Sequence, residues 1–506
     1  MSFKVAFIGA GSIGFTRGLL RDLLTVTEFK EIEVSFMDIN PHNLQMVTEL
    51  CQRDIRENGL KTVISATTDR KEALKDAKYV FCTIRMGGLE AFATDVDIPL
   101  KYGVDQCVGD TLCAGGIMYG QRGIAEMLEI CRDIREAAAP DVLLLNYSNP
   151  MAMLTWACNK YGGVRTIGLC HGVQHGYHQI AEVYGLEKSE VDIICAGINH
   201  QTWYISAKHK GRDLTGGLLE AFEKHPEFSR TEKVRIDMLR RFGYYSTESN
   251  GHLSEYVPWY RKRSGEIMDW IDLGSWINGE TGGYLRVCTE GRNWFETDFP
   301  NWMKDPALEY TPEHRGEEHG SYIIEGLETG RVYRGHFNTV NNGIITNLPD
   351  DAIIEAPGYV DHNGISMPLV GELPLGPAAV CNVSISVQRL AVEAAVHGDD
   401  KLLRQAFMMD PLVGAICNPK EIWQMVDEML VAGEAWLPQY SAAIAEAKVR
   451  LASGDLIPTL AGNAGAARLK VKSVDEMMQD REAANKNAGE SDKGKDREKV
   501  SSVDCT

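Results

Sequence analysis

Along roughly the first 200 residues, short apolar runs closed by turn residues alternate with stretches whose apolar positions recur at helical spacing. The runs Lys4 to Ile8, Glu31 to Met37, Lys78 to Ile84, Asp141 to Leu145, Thr166 to Leu169 and Val191 to Ala196 read as strands. Gly14 to Leu24, Pro41 to Asn58 and Gly120 to Ala138 read as amphipathic helices between them. Parallel strands need crossovers of this kind, so the alternation predicts an α/β fold, a Rossmann-type doubly wound parallel sheet.

From about Gln201 the rhythm changes to amphipathic helices mixed with short strands, as around NTVNNGIITNLP and DAIIEAPGYV. The predicted organisation is a Rossmann domain over 1–200, an α+β substrate and oligomerisation domain over 201–463, and a polar tail over 464–506. The tail contains REAANKNAGESDKGKDREKV, too polar to form a core, and is expected to be disordered.

A chain of 506 residues with 44% hydrophobic and 24% charged positions can bury a large core and divide it between domains. The net charge of −19 argues against a nucleic-acid partner, because phosphate binding relies on Lys and Arg. The N-terminal MSFKVAFIGAG fits a first strand better than a secretory signal, and no apolar run approaches bilayer length. Twelve cysteines are scattered without a C-x-x-C pair, which points away from a disulfide framework and toward a cytoplasmic enzyme with reduced thiols.

The first strand runs into GAGSIG, where Gly9, Gly11 and Gly14 stand in G-x-G-x-x-G spacing, with Ser12 between them as a further cofactor-binding candidate. Such a loop turns tightly, brings backbone N–H groups to a pyrophosphate and points a helix N-terminus at its charge. The motif has its required context: a strand before it, a helix after it, and Asp38 closing the next strand. A carboxylate there accepts from both ribose hydroxyls and repels a 2′-phosphate, which favours NAD+ over the phosphorylated cofactor.

In a parallel sheet ligands bind beyond the carboxyl ends of the strands. After the successive strands stand Gly9 to Gly11, Asp38, Arg85, Asn146 to Pro150, Cys170 with His171, and Asn199 with His200. Cys170 and His200 would meet if their strands were neighbours, and both residue types bind transition metals. The alternatives are a small buried thiol and a hydrogen-bonded core histidine. A separate site from His171, His175 and His178 is disfavoured, because nothing on that face completes the ligand set.

The ordered motifs GAGSIG, MDIN, DTLCAGGI, NYSNPMAM, GLCHGVQHG, CAGINHQTW and STESNGHLSEYVPWY resemble the NAD-dependent glycoside hydrolases of family 4, especially their α-galactosidase (melibiase) branch. The likeness runs from about residue 4 to VDEMLVAGEAWLPQY near residue 440. It implies a lactate/malate dehydrogenase-like architecture and a homo-oligomer, a dimer or tetramer. It also implies a reaction outside two-carboxylate glycoside cleavage. Hydride leaves C3 of the sugar for NAD+, the acidified C2 proton is removed, the C1 group is eliminated, water adds, and the hydride returns.

By this resemblance Cys170 and His200 hold Mn2+ or another divalent cation, and His171 protonates the departing oxygen. Asn149 binds sugar hydroxyls, with Asp110 beside it. The C2 base falls in GYYSTESNGHLSEY, with Glu248 and Tyr245 as the first candidates. Arg85 borders the cofactor, and Arg85 and Arg286 are cations able to meet an acidic sugar. The residue after Cys-His varies between branches, often serine or glutamate; here it is Gly172, as in some uronide-cleaving relatives. The expected substrates are α-galactosides of the melibiose and raffinose type. The alternatives are another α-glycoside, an α-glucoside or α-uronide, or a 2-hydroxy-acid dehydrogenase, which would accumulate NADH.

Overall fold

The computed structural model describes residues 2–273, 279–292, 297–460 and 465–481. Of the tail read over 464–506, residues 465–481 are described and sit against the body of the protein, the Ala466 N–H donating to Asp105 Oδ2 at 3.0 Å, while residues 464 and 482–506 lie outside the described residues. Twelve strands join in one sheet: β1 (Lys4–Ile8), β2 (Glu33–Met37), β3 (Ile64–Thr67), β4 (Tyr79–Cys82), β5 (Leu143–Asn146), β6 (Thr166–Gly168), β7 (Val191–Ile198), β8 (Gln201–His209), β9 (Arg212–Asp213), β10 (Tyr333–Val340), β11 (Ile353–Asp361) and β12 (Gly364–Ser366). Their order is β3-β2-β1-β4-β5-β6-β10-β11-β7-β8-β9, with β12 on β11.

The first six strands of that order are all parallel. Alternate residues of each central strand enter different cores. Val5, Phe7, Tyr79, Phe81, Leu143 and Leu145 face one side, and Ala6, Ile8, Val80, Cys82 and Leu144 the other. A strand covered on both faces must be apolar throughout, which is why these segments read as continuous hydrophobic runs. The doubly wound class predicted from the alternation is the architecture found.

The predicted sixth strand differs in placement. β7 forms a hairpin with β8 and runs antiparallel to β11, so β10 and β11 separate it from β6. Each seam holds a single register pair, Asn338 with Gly168 and Glu355 with Gly197. Because Asn338 pairs Glu355 across β10 and β11, the ends of β6 and β7 remain aligned along one edge. The helix predicted from Gly120 begins earlier, as Cys113–Ala137. Its first turn, Cys-Ala-Gly-Gly, has poor helix propensity, but the Asp410 carboxylate accepts the Cys113 N–H at 3.1 Å and the turn is buried on all sides.

Contrary to the expectation that no apolar run approaches bilayer length, one helix among the described residues, Leu375–His397, is long and apolar enough to cross a membrane, and half of its most apolar stretch is buried inside the protein.

Candidate active site

The loop after β1 turns at Gly9 and Ala10, whose N–H groups both donate to the Met37 carbonyl. Ser12 precedes the helix Ile13–Leu24 in extended conformation and leaves it without a side-chain cap. Asp38 folds back over the loop: Oδ2 accepts the Gly11 N–H and Oδ1 the Asn40 N–H, both at 2.8 Å. A Cβ at residue 11 would lie 2.7 Å from that carboxylate, so glycine is what allows the approach. An uncapped helix N-terminus with a carboxylate at its mouth fits a dinucleotide, with amides toward the diphosphate and Asp38 toward the ribose.

Hydrogen bonds link this loop to the far end of the site. Thr83 Oγ1 donates to the Gly9 carbonyl (3.1 Å), and the Ile84 N–H donates to Ser148 Oγ (2.8 Å). Beside Ser148, Asn149 Nδ2 donates to Asp110 Oδ2 (3.1 Å). Thr111 Oγ1 donates to Asp110 Oδ1 (2.8 Å) and lies 3.1 Å from His200 Nδ1. Four strand ends are thereby tied into one polar rim.

Cys170, His200 and Glu248 each present a ligand atom within 4.8 Å of the others, and all three are buried. Cys170 follows β6, and His200 sits in the β7–β8 turn with a left-handed φ of +65°. Glu248 arrives on a strip, residues 245–248, that pairs along β8: Tyr204 N–H donates to the Tyr245 carbonyl, and Thr247 N–H to the Thr202 carbonyl, both at 2.9 Å.

The hydrogen bonds accommodate the His200 tautomer that leaves Nε2 free. Thr111 Oγ1, which donates to Asp110, and the Tyr256 hydroxyl lie 3.1 and 3.2 Å from Nδ1 and can accept a proton carried there. Nε2 then presents a lone pair 3.0 Å from Glu248 Oε2, a buried oxygen with no hydrogen-bond partner. Two facing lone pairs repel unless a cation lies between them. Ligands about 2.1 Å from an ion and at right angles to one another are about 3 Å apart, so the spacing fits a divalent cation.

The electrostatics agree. Burial lowers His200 to about 4, which keeps the imidazole neutral and able to ligate. Burial works against ionisation of Glu248, but the histidines around it, His200, His252, His171 and His175, in their charged forms draw it down to about 2. Burial, with Glu248 and Glu355 adding to it, pushes the Cys170 thiol well up, so only a cation would draw out its thiolate. Beneath them Glu355 accepts from Asn199 at 3.4 Å and is raised by burial to about 8.

The other predicted residues divide. His171, at the start of the helix Gly172–Val183, points Nδ1 at Glu318 Oε1, 3.4 Å away. His178 instead pairs with Glu317, so the histidines go to separate partners. Arg85 stacks within a box of Phe92, Tyr119 and Tyr284, 4.5 to 5.5 Å from the ring centres. Tyr245 does not reach the trio: its hydroxyl donates to Gln179 and its ring packs on Phe222 and Arg235. Arg286 is spent on Glu280 and Glu290, away from the rim.

Sequence reasoning missed Glu318, Thr111 and Tyr256. Tyr256 places its hydroxyl 3.2 Å from His200 Nδ1. Glu248, His252 and Tyr256 stand four apart, a spacing that groups them on one helical face and that could have been read.

A glycine loop that fits a dinucleotide and a Cys-His-Glu cluster able to hold a cation, both beyond the strands of one sheet, define the class of an α/β chain with room for the two groups. Residues 4–186 match the family 4 glycosyl hydrolase profile and residues 195–413 its C-terminal domain profile. The chain belongs to family 4 of the glycosyl hydrolases. It is 57% identical over 96% of its length to an alpha-galactosidase of Rhizobium meliloti (strain 1021), covering 98% of that protein. An alpha-galactosidase of Bacillus subtilis (strain 168) is 34% identical, with 86% of this chain and 99% of that one aligned. Among solved structures, a 6-phospho-alpha-glucosidase from gut microorganisms in complex with NAD and glucose-6-phosphate superposes with a TM-score of 0.72 at 27% identity, covering 87% of this chain and 99% of that one.

Proposed function

We propose that this chain hydrolyses α-galactosides of the melibiose and raffinose type, with NAD+ and Mn2+ as cofactors. The observation that carries the reading is a cation trio beside a dinucleotide cradle in a chain 57% identical to an alpha-galactosidase. When bound, NAD+ supplies reversible hydride transfer and the cation stabilises an oxyanion next to the oxidised carbon.

The chain's own residues do the rest. The Gly9 to Gly14 loop and Asp38 hold the dinucleotide and exclude a 2′-phosphate. Asn149 and Asp110, fixed to one another, orient sugar hydroxyls. Cys170 and His200 would hold the cation. His171 holds a proton for the departing oxygen; its ring is 45% exposed, so it reloads from solvent, and Glu318 aims it. Arg85, in its aromatic box, closes the rim beyond β4.

We assign the enzyme to the cytoplasm, a reading supported by eleven described cysteines, all buried and none in a disulfide. A homo-oligomer is supported by the exposed apolar side chains Leu369, Leu375 and Val383 around the start of the helix Leu375–His397.

The test is turnover of p-nitrophenyl α-galactoside with NAD+, Mn2+ and thiol in deuterated water. Nitrophenol should appear without accumulating NADH, and the released galactose should carry deuterium at C2. Galactose without deuterium at C2 would refute the elimination route.

A further inference from the structure

Residue 172 follows the Cys170–His171 pair directly and opens the helix Gly172–Val183. A Cβ built there would lie 2.8 Å from Glu248 Cγ and 3.3 Å from Cδ. Carbon atoms do not approach to 2.8 Å without a shift, so a side chain at 172 displaces the Glu248 side chain from the position it holds. The backbone does not call for the glycine: residue 172 is outside the left-handed region, and alanine is the better helix former. What the glycine supplies is room.

The room is used by a carboxylate that no hydrogen bond explains. Glu248 Oε2 lacks a hydrogen-bond partner although it is buried, and it faces the lone pair of His200 Nε2 at 3.0 Å. His252 Nε2 lies 3.5 Å from the same oxygen, outside hydrogen-bond contact.

We propose that Gly172 and Glu248 act as a pair, in which the missing Cβ admits the Glu248 carboxylate as a third protein ligand to the divalent cation held by Cys170 and His200. The assignment rests on the metal reading above, and it makes Glu248 a ligand where the sequence suggested a base. It also gives the site a hard oxygen donor beside its soft sulfur, which suits Mn2+ better than thiolate and imidazole alone.

The test uses full-length protein stripped of metal. Mn2+ binding is followed by the paramagnetic resonance signal of the free ion, and Co2+ binding by the sulfur-to-cobalt charge-transfer band. Glu248→Ala and Gly172→Ala should each weaken Mn2+ binding on the order of 10- to 100-fold. The double variant should bind no more weakly than Glu248→Ala alone, because both changes remove the same ligand. It should also melt above Glu248→Ala, since alanine at 172 then meets no clash and favours the helix.

Wild-type Mn2+ affinity in Gly172→Ala, or losses that add in the double variant, would overturn the pairing. Cys170→Ala separates the two levels of the reading. If it binds Co2+ with the charge-transfer band intact, the metal site itself is misplaced. If the band vanishes while Glu248→Ala binds Mn2+ as wild type does, only the third ligand falls.

Discussion

Glu255 offers the most direct way to loosen the active site without touching it. It lies on the helix Asn250–Tyr256 and is fully buried. Its Oε2 accepts the N–H groups of Cys107 (2.6 Å) and Val108 (2.9 Å), and its Oε1 accepts that of Gly109 (2.8 Å). The next residue is Asp110, so one carboxylate fixes the loop that carries the hydrogen-bond partner of Asn149. Glu255→Ala strands three buried donors. At about 1–3 kcal/mol each the loss is about 3–9 kcal/mol, and water entering the vacated space brings it to the lower end. About 3 kcal/mol corresponds to roughly 100-fold in a local opening equilibrium.

Hydrogen exchange read by mass spectrometry on a peptide covering 105–112 measures those N–H groups themselves. Exchange there should accelerate roughly 100-fold in Glu255→Ala while peptides from β5 are unchanged, and KM should rise as Asp110 loses its place. Glu255→Gln keeps one carbonyl oxygen for Cys107 and Val108 but turns an amide donor toward Gly109. It should lose about 1–3 kcal/mol, roughly a 10-fold acceleration. Wild-type exchange at 107–109 in Glu255→Ala would refute the reasoning.

Two further outcomes follow from named contacts. Glu318→Gln removes the anion that aims His171, so kcat should fall about 10-fold on melibiose, whose leaving group needs a proton, and little on a p-nitrophenyl glycoside; equal losses on both would mean a merely structural role. His200, His319 and His336 are buried and held neutral, burial lowering them to about 4, 4 and 3. Between pH 6.5 and 4 the unfolded chain therefore binds protons that the folded chain does not, and stability falls with pH in that window. Each group accounts for about 3 kcal/mol or more by pH 4. Urea midpoints of the metal-free protein should drop between pH 7 and 5, and less steeply in His336→Gln, whereas parallel slopes would contradict the assignment.

What the sequence made legible was whatever depends on local order along the chain. The glycine loop starts directly after β1, and Asp38, Cys170 and His171 each lie within three residues of a strand's carboxyl end, so the doubly wound pattern alone puts them on one edge. His200 was found for a partly mistaken reason. It was expected to meet Cys170 across adjacent strands, but β10 and β11 intervene, and those strands come from more than 130 residues further along the chain. Pairings at that separation have no periodic trace in the sequence. Glu318 was invisible for the same reason, 147 positions from the histidine it orients. Arg286 illustrates the reverse case, since its partner Glu290 stands four residues on and the pair could have been read as a solvated helix contact.

Gly172 marks the limit of this kind of reading. A glycine in a sequence announces a missing side chain, and the usual reasons for one are a turn, a left-handed backbone or a flexible link. None applies at 172, where the space belongs to a carboxylate 76 positions away. Two residues that look unrelated along the chain are therefore constrained together. A side chain at 172 is compatible with the cation trio only if residue 248 gives up its place, and a carboxylate at 248 completes the trio only if 172 stays bare.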